Sequence, residues 1–144
     1  MKEIQILLVE DNPGDVLLIQ EALKDSKILN IVNIAKNGRQ ALDMLFRKEQ
    51  YENFELPDLI LLDINLPKIN GQEVLATIKK DEKLKIIPVI MLTTSDAEAD
   101  VYQSYNNHAN CYIVKPVDMD KFLHVVLSIE NFWLTVVKLP VMKD

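Results

Sequence analysis

The stretch Pro57–Asn65, with the sequence PDLILLDIN, indicates how this chain folds. Its centre, Leu59–Leu62, is an uninterrupted apolar run, which is typical of a strand whose two faces are both buried in a parallel sheet. Asp63 follows at the point where such a strand leaves the core. Ligands of open α/β sheets bind outside the carboxyl ends of the strands, so chemistry is expected at this position. On this stretch alone, a turn aspartate after a strand is the commoner explanation.

Length and composition predict one globular domain. The chain has 144 residues, of which 49% are hydrophobic, and a net charge of −6 without a cluster of Lys or Arg. This charge argues against nucleic-acid and anionic-membrane binding. The single cysteine, Cys111, fits a reducing compartment, and no apolar run approaches the roughly 20 residues that span a bilayer. We therefore expect a cytoplasmic protein with a single domain over residues 1–144 and no effector domain.

Predicted strands and helices alternate along the whole chain. Apolar runs predict five strands, at Ile4–Val9, Asn30–Ala35, Leu59–Leu62, Pro88–Leu92 and Cys111–Val114. Helical spacing of apolar residues predicts helices that end near Ser26, Gln50 and Asp81, and two more over residues 96–107 and 119–137. This alternation predicts parallel strands with right-handed crossovers. The predicted fold class is α/β, with a doubly wound five-stranded parallel sheet and five helices, since the chain is too short for an eight-stranded barrel.

Polar side chains stand at the carboxyl ends of four predicted strands. Glu10 and Asp11 follow the first strand, Asp63 the third, Thr93 the fourth and Lys115 the fifth. Because the ends of parallel strands share one edge of a sheet, we expect three carboxylates, a hydroxyl and an amine to converge. Each residue alone has an ordinary explanation, such as a charge favoured at a helix start or a solvated lysine. The whole set, at four strand ends at once, is much harder to explain in that way.

Three carboxylates at one place need a cation between them. At about 4 Å and an effective dielectric constant of 20, each pair repels by about 4 kcal/mol. Oxygen ligands favour Mg²⁺, with Ca²⁺ or Mn²⁺ as alternatives, and the lack of a neighbouring His or Cys disfavours zinc. Mg²⁺ held by few carboxylates completes its coordination with water and phosphate oxygens. Lys115 and Thr93 are suitable partners for a phosphoryl group, so the cluster indicates a site that handles phosphate.

The ordered set of motifs resembles the CheY-like receiver domain of two-component response regulators. The matching segments cover nearly the whole chain and are Leu8–Asn12, Asp58–Pro67, Asn70–Gly71, Pro88–Thr93 and Tyr112–Pro116. More narrowly, the sequence DNPGD at 11–15, the loop Tyr51–Leu56 and the sequence ENFW at 130–133 are similar to single-domain regulators of phytochrome-like histidine kinases. The resemblance implies a flavodoxin-like fold and a sensor histidine kinase, phytochrome-like on the narrower match, as partner.

The resemblance also implies what each residue of the phosphoryl site does. Asp63 would be the phosphoacceptor, which takes the phosphoryl group from a kinase phosphohistidine. Lys115 would pair with that group and Thr93 would hydrogen-bond to it. Thr93 and Tyr112 would form the family's switch pair. The protein would then be a phosphorelay component rather than an enzyme, with only self-directed phosphotransfer and autodephosphorylation.

The metal ligands are implied in the same way. The resemblance assigns Mg²⁺, with Mn²⁺ as an alternative, to Asp11, Asp63 and the backbone carbonyl of Asn65. Glu10 would act on the ion through a water molecule.

A second apolar stripe on the last predicted helix indicates a protein partner. One stripe, which begins at Phe122, is enough to contact the core. The second is offset by roughly 100°, and with two residues of the fourth predicted helix it comprises Val101, Tyr105, Leu123, Leu127 and Leu134. We expect a homodimer through the fourth helix, fifth strand and fifth helix. Coverage of the stripe by the tail, residues 138–144, is an equally good explanation.

Three other functions fit the sequence less well. A phosphohydrolase that forms an aspartyl phosphate would have a second aspartate two residues after Asp63, where this chain has Asn65. A receiver that is never phosphorylated would not need the acidic pair together with Lys115. A flavodoxin-like module would carry a phosphate-binding loop after the first strand, where Glu10 and Asp11 would instead repel the phosphate of FMN.

Overall fold

Five parallel strands form one sheet in the computed structural model, which describes residues 3–26, 29–93, 108–109, 111–114, 120 and 124. The strands are β1 (Ile4–Val9), β2 (Asn30–Ala35), β3 (Leu59–Asp63), β4 (Val89–Thr93) and β5 (Cys111–Val114). Their spatial order is β2-β1-β3-β4-β5, and every neighbouring pair is parallel. This is a doubly wound order whose direction reverses between β1 and β3. The predicted α/β fold with a five-stranded parallel sheet is confirmed.

Three α-helices lie within the described residues, namely α1 (Pro13–Asp25), α2 (Gly38–Leu45) and α3 (Gly71–Lys80). Each begins after an asparagine whose side chain accepts a hydrogen bond from a backbone N–H of the first turn, at Asn12, Asn37 and Asn70. Such caps satisfy N–H groups that a helix leaves unpaired, so they define where each helix starts. The helices predicted over 96–107 and 119–137 fall outside this description, except at residues 120 and 124, which are helical. None of the described helices has the length and apolar character to cross a membrane.

The sheet separates two buried apolar layers. Alternate side chains of β1 enter opposite layers, with Ile6 and Leu8 beneath α1 and with Leu7 and Val9 beneath α2 and α3. All residues of β3 are buried, as its unbroken apolar sequence predicts. Each fully buried Leu or Ile side chain stabilises the fold by about 1.5–3 kcal/mol. The strand that ends in Asp63 is therefore held rigidly from both faces.

The prediction that the second helix runs to about Gln50 is wrong. Helix α2 ends at Leu45, and a 3₁₀ turn over Glu49–Tyr51 follows it. The cause is Arg47, whose backbone is left-handed with φ of 55°. Glycine is the usual residue at such a helix end. Because an arginine stands there instead, the sequence carries no visible stop signal at this point.

Two backbone hydrogen bonds close the end of α2 around Arg47. The Arg47 N–H donates to the carbonyl oxygen of Met44 at 3.1 Å, and the Lys48 N–H donates to that of Asp43 at 2.9 Å. This pair of bonds is the Schellman pattern of helix ends. The Arg47 side chain adds a third bond, from Nε to the carbonyl oxygen of Phe54 at 2.8 Å. Arg47 thus adopts an unfavourable backbone conformation, and its side chain links the following loop to the end of α2.

A second set of side-chain hydrogen bonds holds the segment before β4. The Lys79 amine donates to the carbonyl oxygens of Lys85 at 2.9 Å and Ile87 at 2.6 Å, which links α3 to the connector that contains the 3₁₀ turn Leu84–Ile86. Burial lowers the pKa of the Lys79 amine to about 8. A neutral amine keeps two N–H groups, so both bonds persist in either protonation state.

Two variants at Arg47 separate the backbone strain from the side-chain bond. Arg47→Ala and Arg47→Gly both remove the bond to Phe54, but only glycine relieves the left-handed conformation. We expect R47G to be more stable than R47A by about 1 kcal/mol in urea unfolding followed by circular dichroism. Equal free energies of unfolding would show that Arg47 is not strained.

Candidate functional site

An acidic cluster lies at the carboxyl ends of β1 and β3. One carboxylate oxygen from each of Glu10, Asp11 and Asp63 lies within 4.8 Å of the other two. Glu10 follows β1 directly, and Asp63 is the last residue of β3. The two strands are adjacent and in register up to Val9 and Leu62. The structure therefore brings together the three carboxylates that the sequence places at strand ends.

Burial and backbone hydrogen bonds orient two of these carboxylates. Glu10 is 1% exposed and Asp63 is 3% exposed, whereas Asp11 faces solvent. The Asn12 N–H donates to Oε1 of Glu10 at 3.1 Å, and the Asn65 N–H donates to Oδ1 of Asp63 at 3.0 Å. Buried carboxylates this close together are costly without a compensating charge. All three donor groups offer oxygen, the ligand type that hard divalent cations prefer.

The start of α3 packs against the backbone of Asp63. A Cβ atom on Gly71 would collide with the carbonyl oxygen of Asp63 and would lie 2.6 Å from Cα of Ile64. The Gly71 N–H donates to the carbonyl oxygen of Ile64 at 2.9 Å, and the Ile64 N–H donates to that of Leu92 at 2.8 Å. The backbone just after Asp63 is thus clamped between α3 and β4. Only glycine allows this approach, because any side chain would occupy the space of the Asp63 carbonyl.

The remaining predicted site residues are only partly described. Thr93 is the last residue of β4, paired in register with Val114 of β5, so its backbone lies at the same sheet edge as Asp63. Tyr112 is half-buried in β5 and packs against the apolar layer beneath α2 and α3. Asn65 is exposed, two residues after the end of β3. Six predicted site residues lie outside the part of the chain that the structure describes, namely Lys115, Val101, Tyr105, Leu123, Leu127 and Leu134.

The roles of two residues that shape the site were not predicted from the sequence. Asn12 holds Glu10 through its backbone N–H, and Gly71 admits α3 to the backbone of Asp63. The pair Asn70–Gly71 is visible in the sequence as a helix start, but its contact with Asp63 depends on tertiary packing.

Residues 6–127 match the family model of the response regulator receiver domain. The chain belongs to the response regulator receiver family. Over 135 residues this receiver is 49% identical to the response regulator Rcp1 of Synechocystis sp., an alignment that covers 94% of this chain and 92% of Rcp1. Membership in a two-component signalling family, which the motifs predict, is confirmed.

Two solved structures of response regulators are similar to this receiver over almost its whole length. The Mn²⁺-bound form of Rcp1 has a TM-score of 0.82 at 48% identity, with 96% of this chain and 99% of that chain covered. The phosphorylated cyanobacterial phytochrome response regulator RcpA has a TM-score of 0.85 at 46% identity, with 97% and 100% covered. These likenesses confirm the CheY-like fold of this receiver.

Glycine at position 71 should be indispensable for the local structure of this receiver. We expect Gly71→Ala to lower the free energy of unfolding by about 3 kcal/mol, because the added methyl group meets backbone atoms that cannot move aside. Gly14→Ala is the matched control, since its Cβ would lie 3.2 Å from the side-chain Oδ1 of Asn12, which can shift by a few tenths of an ångström and still cap α1. Equal urea midpoints for the two variants would contradict this account of the clamp.

The acidic cluster should bind a divalent cation. In calorimetric titration with Mn²⁺, we expect Asp11→Asn to weaken binding by at least about tenfold, because it removes the exposed member of the cluster and leaves the core intact. Asp15→Asn, in the first turn of α1 and outside the cluster, removes the same charge and should leave the affinity unchanged. Similar losses in both variants would indicate general charge attraction instead of a defined site.

Proposed function

We propose that this receiver accepts a phosphoryl group on Asp63 from the phosphohistidine of a sensor histidine kinase, in a Mg²⁺-dependent reaction. The main support for this proposal is that Asp63 is only 3% exposed and lies within 4.8 Å of two other carboxylates. A purely structural carboxylate gains nothing from such neighbours, because like charges at this distance destabilise each other. A site that must hold a cation and a phosphoryl group at once accounts for all three residues.

The residues of the site position the reacting groups. One oxygen of Asp63 attacks the phosphorus atom, the bond between phosphorus and the kinase histidine nitrogen breaks, and that nitrogen keeps the electron pair. With its other ring nitrogen protonated, the histidine leaves as neutral imidazole, and Asp63 becomes an acyl phosphate. The Asn65 N–H holds Oδ1 of Asp63 at 3.0 Å and so orients the carboxylate for in-line attack. Such transfer depends mainly on positioning and on charge neutralisation.

Mg²⁺ is the cation that this donor set suits best, with Mn²⁺ as the alternative. When bound, it supplies the positive charge between the carboxylates and the phosphoryl oxygens. We assign it to Asp11, Asp63 and the Asn65 backbone carbonyl, with Glu10 acting through water. Glu10 takes the indirect position by resemblance to the family.

Three further residues complete the proposal by resemblance to the family. Lys115 pairs with the phosphoryl group, and the Thr93 hydroxyl hydrogen-bonds to it. Thr93 and Tyr112 form the switch that reports phosphorylation to the surface. The half-buried position of Tyr112 in β5 supports this role, since a ring at the edge of the core can change its burial when a neighbour moves.

The proposed phosphodonor is a phytochrome-like histidine kinase. Its support is the likeness to RcpA, a phytochrome response regulator that shares 46% of its residues with this chain. The protein then acts in the cytoplasm as a phosphoacceptor and signals by protein contact, not as an enzyme on a separate substrate. We retain the homodimer through the fourth predicted helix, β5 and the fifth predicted helix as the output surface, on the strength of its second apolar stripe.

Acetyl phosphate tests the phosphoacceptor directly. With Mg²⁺, we expect wild type and Asp25→Asn, an exposed aspartate at the end of α1, to give a slower band in a phosphate-affinity gel that hydroxylamine removes. Asp63→Asn should give none, and chelation of Mg²⁺ should abolish the wild-type band. A hydroxylamine-sensitive band of equal strength on Asp63→Asn would refute the assignment. Rapid phosphotransfer from an autophosphorylated phytochrome kinase, compared with an unrelated kinase, tests the partner separately.

A further inference from the structure

The loop between β3 and α3 closes on itself directly after Asp63. The N–H groups of Leu66 and Gly71 both donate to the carbonyl oxygen of Ile64, at 3.0 Å and 2.9 Å. Leu66 is buried in the apolar layer beneath α2 and α3, and Ile69 packs against the same layer. The loop is therefore anchored on both sides of its two central residues, and its tip has a fixed place at the sheet edge that carries the acidic cluster.

The tip of this loop consists of Pro67 and Lys68, which are both exposed. The Lys68 backbone is left-handed, with φ of 66°. A proline followed by a left-handed residue is the usual arrangement of a type II turn, in which glycine or asparagine is preferred at the second of these positions. A lysine in this conformation is strained, so its presence requires a reason other than turn formation.

No contact of the Lys68 side chain explains this strain. Among the residues that the structure describes, its amine has no hydrogen-bond partner and no ion-pair partner. Arg47, which is also left-handed, differs in this respect, because its side chain donates to the carbonyl oxygen of Phe54. An unpaired positive charge in a strained position indicates a role outside the internal contacts of the fold.

The chain between Lys68 and the site limits how far apart the two lie. Lys68 precedes Gly71 by three residues, so their Cα atoms are at most about 11 Å apart. Gly71 in turn lies against the backbone of Asp63. A charge about 10 Å from the carboxylates is within the Debye length at low salt, which is about 30 Å at 0.01 M. The Lys68 ammonium therefore acts on ions that enter the acidic cluster.

We propose that Lys68 is a rim cation of the phosphoryl site, which attracts anionic phosphodonors such as acyl phosphates and weakens the binding of the divalent cation. This inference rests on the proposed phosphorylation of Asp63. Three carboxylates and a net charge of −6 repel a donor that carries negative charge, and a positive charge at the rim reduces this repulsion. The same charge repels Mg²⁺ or Mn²⁺. Lys68 thus has opposite effects on the two ligands of the site.

The rate of phosphorylation by acetyl phosphate tests the first effect. At saturating Mg²⁺ and about 30 mM ionic strength, we expect Lys68→Gln to react about twofold more slowly than wild type, because a dianion about 10 Å away loses the attraction. Lys68→Arg keeps the charge and should react like wild type. Lys80→Gln, the matched control in the last turn of α3, should also react like wild type. At about 1 M salt all four proteins should react equally, since the Debye length falls to about 3 Å.

Calorimetric titration with Mn²⁺ tests the second effect without phosphoryl transfer. At the same low ionic strength, Lys68→Gln should bind Mn²⁺ about twofold more tightly than wild type, because a repelling charge is removed. A variant that merely disturbs the loop would lose both metal affinity and rate, so the opposite signs distinguish charge from structural damage. Lys68→Gly should match Lys68→Gln in rate and unfold at a higher urea concentration, because glycine relieves the left-handed backbone.

The outcomes distinguish failure of this inference from failure of the proposed function. A wild type that takes up no phosphoryl group on Asp63 overturns the proposed function, and the role of Lys68 with it. If wild type is phosphorylated, the role of Lys68 alone is overturned by an unchanged rate in Lys68→Gln at low salt, by an equal loss in Lys80→Gln, or by a loss that persists at high salt. Weaker binding of Mn²⁺ to Lys68→Gln would overturn it as well.

Discussion

The rest of this structure depends on the electrostatic constraint at Asp63, a carboxylate buried at the end of a fully buried strand. Its two acidic neighbours lie within 4.8 Å, and water is largely excluded from Asp63 and Glu10. Three such charges are stable only with positive charge beside them. The apolar layers on both faces of β3 keep Asp63 in place despite this repulsion. Rigidity and charge thus combine to make this sheet edge suited to a cation and to the phosphoryl group that we propose for it.

The backbone around Asp63 connects this site to the remainder of the fold. Gly71 lets α3 begin against the Asp63 carbonyl, and Ile64 bonds both to Gly71 and to Leu92 of β4. The strand that ends in Thr93 and the helix that follows Asp63 therefore meet at one short segment. A change in charge at Asp63 acts first on these neighbours. Under the proposed function, this arrangement gives a physical route from Asp63 to α3 and β4.

The strands and the acidic cluster could be predicted from the sequence because both follow from local signals. Apolar runs such as Leu59–Leu62 define buried strands, and parallel strands necessarily bring their carboxyl ends to one edge. The end of α2 was missed because Arg47 occupies a left-handed position without the usual glycine. The contact of Gly71 with Asp63 arises only when α3 packs.

Chemical mapping of the phosphorylated residue tests the central claim most directly. Borohydride reduces an aspartyl phosphate to homoserine, which peptide mass spectrometry locates to one position. After treatment with acetyl phosphate and Mg²⁺, we expect homoserine at position 63 and unmodified Glu10 and Asp11. Reduction at Asp11 or Glu10 with Asp63 unmodified would contradict it, because the buried carboxylate would then be a metal ligand only.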